Sequence, residues 1–264
     1  MKPNKIYAVI LCLAIAVLVL AFVNKNTGKP AIISNSQGFA VVELFTSEGC
    51  SSCPPADELL AKIRKESTGK PVYLLAYHVD YWNRLGWKDV FSKAEYSRRQ
   101  SAYAKWLNLR GVYTPQVVVN GKIEFVGSAQ GSLRNAIQAG LLTDTKTHVT
   151  LSGVSVNGYS ATLQYKTAGV IDDGLLQVAL VQNQAQTTVK SGENGGRVLS
   201  HVQIVNNFKS VRLGKKPEGT IMMELPANFV PSGYELIAFT QNAKTGEITA
   251  ATRAPFPGTA VANN

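Results

Sequence analysis

The chain is poor in the side chains that most chemistry uses. Among 264 residues there are three cysteines and three histidines, and charged residues make up 17%. Cys12 lies inside an apolar N-terminal run, which leaves only Cys50 and Cys53 for the folded part. A zinc site needs ligands beyond one C-x-x-C pair, and His78, His148 and His201 form no second pair by spacing, so no metal ligand set is expected. Basic residues outnumber acidic ones, 27 to 17, for a net charge of +10. No Lys/Arg-rich block occurs, however, and this diffuse charge argues against a nucleic-acid partner. Also missing are a Ser/His/Asp spacing, a phosphate-binding loop, a paired-acid motif and an internal repeat. No cofactor is expected.

What is present centres on Val41 to Pro55, VVELFTSEGCSSCPP. An apolar strand runs into a small polar turn, then two cysteines two residues apart, then prolines suited to a helix start. Cys50 falls where unpaired backbone N–H groups and the positive end of the helix dipole converge, which favours its thiolate. Two intervening residues let Cys50 and Cys53 close a disulfide within the first helical turn. The pair can then cycle, with Cys50 attacking and Cys53 resolving. A redox pair, an inert structural disulfide and half of a metal site all share this pattern.

Residues 1–26 read as a signal anchor, with a cleaved signal peptide as the alternative. Lys2 and Lys5 precede the apolar run Ile6 to Val23, which reaches about 27 Å at ~1.5 Å per residue. No small-x-small cleavage site follows before Asn24, and Leu11 is wrong for lipoprotein cleavage at Cys12. Export would place the cysteines in an oxidising compartment. Residues 27–38 then form a polar tether.

Periodicity predicts a strand over Phe39 to Phe45, a helix over Pro54 to Glu66 and a buried strand over Val72 to Val79, together a βαβ unit. A longer insert, Asp80 to Gly111, opens on His78-Val79-Asp80-Tyr81-Trp82 and carries a helix from Lys93 to Leu109. Strand ends in a parallel sheet face one way, so His78 and Asp80 are expected on the rim that bears Cys50, where they would tune it. Thr114-Pro115 opens a further strand, Asn120-Gly121 turns it into Ile123 to Val126, and Gln130 to Leu142 is helical. From Thr147 onward, short alternating strands with turns between them read as a β-sandwich over 147–254, with a frayed tail at 255–264. Ser191 to Gly196 reads as a flexible loop whose glycines serve either a ligand or merely a turn, and His201 as a lone histidine in a strand.

The order strand, C-x-x-C helix, strand, helix, Thr-Pro-strand, Asn-Gly, strand, helix resembles the thioredoxin fold. The wording ELFTSEGCSSCPPAD, YHVDYW, GW, YTPQVVVNG and SGENGGRVLSHVQIV is similar to a family of exported bacterial thioredoxin-like proteins known only as a domain of unknown function. The resemblance implies an α/β thioredoxin-like domain over 39–143 with a helical insert, followed by an all-β sandwich-like domain. It further implies a cis Pro115 lying against the disulfide, with Thr114 offering backbone atoms to an extended substrate. Tyr81 and Trp82 would help to line that groove. The buried acid that assists the resolving thiol would come from the first strand, where Glu43 is nearest, one residue further from the cysteines than usual. Two other departures are Ser51-Ser52 between the cysteines and Gly49 where a tryptophan is usual.

These readings converge on an exported thiol–disulfide exchange protein of the periplasm or cell exterior. It would be anchored to the inner membrane and act on protein or peptide thiols and disulfides of the envelope. Two rivals use the same residues. One is a metallochaperone binding a soft ion such as copper(I) through Cys50, Cys53 and His78. The other is a binding protein with a structural disulfide and an aromatic groove of Tyr81, Trp82 and Trp87.

Overall fold

The computed structural model describes residues 38–258 except 170, 215 and 216. The expected signal segment therefore lies outside the described residues, as does the tether apart from Gly38. Among the described residues no helix is long and apolar enough to cross a membrane.

Strand β1 (Ala40–Thr46) is followed by helix α1 (Pro54–Glu66) and strand β2 (Val72–His78). β1 and β2 pair in parallel, from Ala40 opposite Val72 to Thr46 opposite His78. Every residue of both strands is buried, which is why they read as nearly unbroken apolar runs. Helix α2 (Ala94–Trp106), strands β3 (Gln116–Val119) and β4 (Ile123–Val126), and helix α3 (Gln130–Leu141) complete the first half. β3 lies antiparallel to β1 on the side away from β2. The second half contributes β5 (His148–Asn157), β6 (Ser160–Ala168), β7 (Gly174–Thr188), β8 (Val198–Arg212), β9 (Glu218–Glu224), β10 (Tyr234–Asn242) and β11 (Ile248–Pro255).

The expected division into an α/β thioredoxin-like domain and a separate sandwich is overturned. One eight-stranded mixed sheet runs β11-β10-β7-β8-β2-β1-β3-β4, and a three-stranded sheet runs β5-β6-β9. β8 joins β2 in parallel through Ala76 and Ile204, so the sheet passes from one half into the other. Strand accounts for 44% and helix for 20%, making the described chain mostly β. The physical reason is a shared core. Val41, Phe45 and Tyr77 pack together with Tyr96 and Tyr103 of α2, and also with Val181, Val205, Ile237 and Phe239 of the second half. On the opposite face of β1, Val42 and Leu44 pack against Ala56, Leu59 and Leu60 of α1. A third cluster, with Leu163, Leu180, Ile221 and Leu236, joins the small sheet to the large one. Within the expected tail, Phe256 is 1% exposed and meets Phe229 edge-on, ring centres 4.8 Å apart.

β7 and β8 are each 15 residues long, about 50 Å of extended chain at ~3.3 Å per residue. The outer end of β7, Gln182 to Thr188, shows no apolar alternation, so the sequence gives no sign that the strand continues past Val181. This long hairpin delivers the segment 189–197 to the first half.

Candidate functional site: a buried disulfide under a hairpin tip

The turn after β1 brings Cys50 and Cys53 together as a disulfide, with Cα atoms 5.4 Å apart. Cys53 caps α1, and Pro54 and Pro55 fill its first positions, where an N–H would have no helical partner. Both cysteines are 0% exposed, whereas Ser51 and Ser52 between them are exposed. The Ser52 hydroxyl lies 3.3 Å from Cys50 Sγ. On the other side the Thr114 carbonyl oxygen is 3.8 Å from the same sulfur, and the Thr114–Pro115 bond is cis. Trp82 Nε1 donates to Thr114 Oγ1 at 2.8 Å. A Cβ on Gly49 would sit 3.2 Å from Trp82 Cβ, so Trp82 occupies the space a residue-49 side chain would need.

Gly127 backs this arrangement. Its N–H donates to the Pro115 carbonyl at 2.9 Å, and a Cβ there would lie 2.9 Å from Leu44 Cδ1 and 3.1 Å from both Ala56 and Pro115. Gly127→Ala is therefore expected to cost about 1–3 kcal/mol by overpacking, read as a lower urea midpoint at unchanged slope. A loss under about 0.5 kcal/mol would mean that the strand end yields freely.

Beside the disulfide lies a buried polar cluster. His78 Nδ1 is 2.7 Å from Asp89 Oδ2, and that same oxygen accepts the Glu48 N–H at 2.8 Å. Burial opposes the Asp89 charge, but His78 and the N–H groups of Glu48 and Phe91 outweigh it and hold the carboxyl below its ordinary value. The rings of His78 and His201 meet edge-on, centres 4.8 Å apart. His201 stands between two acids, with Nε2 3.5 Å from Glu48 Oε1 and Nδ1 3.5 Å from Asp57 Oδ1. At that separation these are ion-pair contacts rather than well-formed hydrogen bonds. Burial works against the imidazolium, yet Asp57 and Glu48 prevail and push its pKa up to about 10. Trp87 Nε1 donates to Glu48 Oε2 at 2.7 Å, and Thr46 Oγ1 donates to Asp57 Oδ2 at 3.0 Å. Among the described residues no group of three or more His, Cys, Asp and Glu side chains is arranged to hold a metal ion.

The expected site residues divide into three groups. Cys50, Cys53, Thr114, Pro115 and Trp82 converge. His78 joins the buried cluster, while Tyr81 donates to Gln100 Oε1 at 3.3 Å and Asp80 accepts from Ser97 of α2. Glu43 lies elsewhere. It alternates with Val41 and Phe45, and so faces α2 rather than the helix that carries Cys53. There it accepts Arg99 Nε at 2.6 Å and the Tyr103 hydroxyl.

Sequence reasoning missed Glu48, Asp57, Asp89 and His201, and it missed the hairpin tip. One signal was available: Asp57 is four residues after Cys53 and so shares its helix face. The tip left no such mark. Asn194 Nδ2 donates at 2.9 Å to the carbonyls of both Glu48 and Cys50, and the Ser51 N–H donates to Glu193 Oε2 at 2.9 Å.

Fold and site together define a mixed-sheet, mostly β protein that carries a C-x-x-C disulfide at a helix start. The profile of the family described as "Protein of unknown function (DUF1223)" matches residues 41–241. The chain belongs to that family. Its fold is similar to the crystal structure of a structural-genomics target from Agrobacterium tumefaciens, which is 29% identical, with 85% of this chain and 97% of that one covered and a TM-score of 0.64. A domain of the outer membrane lipoprotein Omp28 from Porphyromonas gingivalis is matched over 42% of this chain and 95% of that one, at 13% identity and a TM-score of 0.28. No curated protein matches.

Proposed function

We propose that the protein carries out thiol–disulfide exchange on protein or peptide thiols outside the cytoplasm, with Cys50 and Cys53 as the working pair. The carrying observation is the disulfide at the start of α1 with the Thr114 carbonyl 3.8 Å from Cys50 Sγ. Kinship with thioredoxin-like oxidoreductases is proposed for this centre alone, on the strength of the C-x-x-C helix start and the Thr-Pro segment beside it. In the exchange, an incoming thiolate forms a bond to Cys50 Sγ. The Cys50–Cys53 bond breaks, and the electron pair leaves on Cys53 Sγ, which takes up a proton. Cys50 is taken as the attacking thiolate in the return direction because it precedes the helix, in the turn beside Thr114, whereas Cys53 caps the helix. Placement in the cell envelope rests on the apolar run Ile6 to Val23, and the direction of electron flow is left to measurement.

The test is the disulfide's potential against a glutathione series, together with the Cys50 thiol pKa, with Cys53→Ala as the second protein. Exchange chemistry requires a depressed pKa and a potential between about −120 and −270 mV. Cys53→Ala should then accumulate a mixed disulfide on Cys50. A thiol pKa near 8.5 with a potential below about −300 mV would sink this reading and leave a structural bond.

A further inference from the structure

The tip of the β7–β8 hairpin makes contacts that neither strand needs for its own pairing. Besides the bonds from Asn194 to Glu48 and Cys50 and from Ser51 to Glu193, the Ser191 hydroxyl donates to the Gly86 carbonyl at 2.6 Å. Arg197 Nη1 donates to Asn194 Oδ1 at 2.7 Å and so orients the amide that spans the cysteine turn. Asn194 is 0% exposed, although Glu193 and Gly195 on either side of it are exposed. One polar side chain is thus sunk into the site from a loop that otherwise stands in solvent. In this form both cysteines are fully buried. An attacking thiolate must approach Cys50 Sγ roughly along the S–S axis, so the described form is closed to reaction.

The loop turns on two glycines. Gly192 and Gly196 adopt φ of +75° and +83°, a region that other residues enter at a cost. Gly192 also lies against Trp87, where a Cβ would meet Trp87 Cβ at 3.2 Å. Below the tip, the Val189 N–H donates to the Arg197 carbonyl at 2.9 Å and the Gly196 N–H to the Val189 carbonyl at 2.8 Å. These bonds close the base of the loop, so the tip can move without unzipping the hairpin. Apart from the hydrogen bonds named above nothing holds it down, since residues 190–196 carry no apolar side chain, and such segments belong to the low-stability end of a fold.

We propose that residues 190–196 are a hinged cover over the Cys50–Cys53 disulfide, and that a reacting thiol gains Cys50 Sγ only when Glu193 and Asn194 release the cysteine turn. This rests on the exchange reading of the same site. Opening leaves the Ser51 N–H and the Glu48 carbonyl free, while the Cys50 carbonyl keeps only the Cys53 N–H, and with these groups an extended partner chain can replace the bonds it displaces.

The test uses dithiothreitol and the full oxidised chain. One dithiothreitol thiolate bonds to Cys50 Sγ and expels Cys53. Its second thiol then closes the reagent's own ring, so dithiothreitol is oxidised and Cys50 and Cys53 are left as thiols. Rates of reduction, and of reoxidation by oxidised dithiothreitol, are compared for wild type, Glu193→Ala and Asn194→Ala. Each lost bond should raise both rates by about five- to tenfold, the equivalent of one hydrogen bond removed from the closed form. The equilibrium constant should not change. Rates within twofold of wild type for both variants would overturn the cover. So would a wild-type chain reduced as fast in buffer as when unfolded in urea, or a rise in one direction only. Glu193→Ala alters only an exposed side chain, so the comparison stands even if Asn194→Ala fails to fold. The equilibrium constant from the same traces judges the exchange reading, whereas the ratio of rates judges the cover, and the two fail separately.

Discussion

Replacing Arg99 by leucine should lower the unfolding free energy by about 3–5 kcal/mol, because it leaves a carboxylate buried without its counter-charge. Glu43 is 0% exposed and Arg99 8% exposed. The guanidinium donates to Glu43 at 2.6 Å, to Gln241 Oε1 at 3.2 Å and to the Tyr103 hydroxyl at 3.1 Å. It also lies against four rings, with centroid distances of 4.8 Å to Phe208, 5.1 Å to Tyr103, 5.3 Å to Phe239 and 5.5 Å to Tyr77. Burial works against the Arg99 charge, but Glu43 and the surrounding groups hold its pKa above the ordinary value. The tyrosines respond the other way, since burial pushes the pKa of Tyr77 and Tyr103 well up and keeps them neutral. The double variant Glu43→Gln with Arg99→Met should be less damaging than Arg99→Leu, since no net charge stays behind. Urea unfolding of the three proteins checks this. A loss under about 1 kcal/mol for Arg99→Leu would mean that water or a proton neutralises Glu43 at little cost.

The second large effect is one of pH. His201 has a folded-state pKa of about 10 against an ordinary value of 6.5, so the folded state binds its proton more tightly than the unfolded chain does. The stability owed to that cation is fully present below about pH 6.5 and is lost as pH rises through about 10. The groups facing it are Glu48 from the cysteine turn, Asp57 from α1, His78 from β2 and the Phe91 ring. The loss across this window should be on the order of 4 kcal/mol. His201→Gln should be less stable than wild type at pH 6 and lose much less between pH 6 and pH 9.5. Parallel curves for the two proteins would show that His201 is not the charge being titrated. Asp89 has the opposite sign: its lowered pKa adds stability above the ordinary carboxyl value of 3.8, and that stability is lost on acidification below it.

Much of the first half is legible in the order of residues. The alternation and length of Ala40 to Thr46, the prolines after Cys53 and the stripe Ala56, Leu59, Leu60, Ile63 specify strand, turn and helix locally. The Cys50–Cys53 spacing permits a disulfide, and Thr-Pro followed by an apolar strand marks Thr114 and Pro115. These signals lie within a few residues of one another, where backbone geometry alone limits the outcomes. Glu43 marks where such reasoning stops. A strand's period of two says that Glu43 shares a face with Val41 and Phe45, but not which helix covers that face. Arg99 lies 56 residues further on, and only packing brings it there.

The second half carries the same lesson on a larger scale. Its strands are readable one at a time, but their sheet is not, because β8 joins β2 through a pairing that no turn or spacing announces. The polar end of β7 holds extended conformation by pairing with β8, from Gln184 opposite Val202 to Thr188 opposite Val198, and not through an apolar stripe of its own. His201 and Asn194 are unremarkable in the sequence for the same reason, since each acquires its role from groups more than 140 residues away. By itself the sequence determined which two cysteines can meet and which helix follows them. Tertiary structure alone decided that the disulfide is buried, that a histidine stands between two acids beside it, and that a loop from the far half bonds to the cysteine turn. Burial and long-range ion pairing belong to the packed chain as a whole, and no local stretch encodes them.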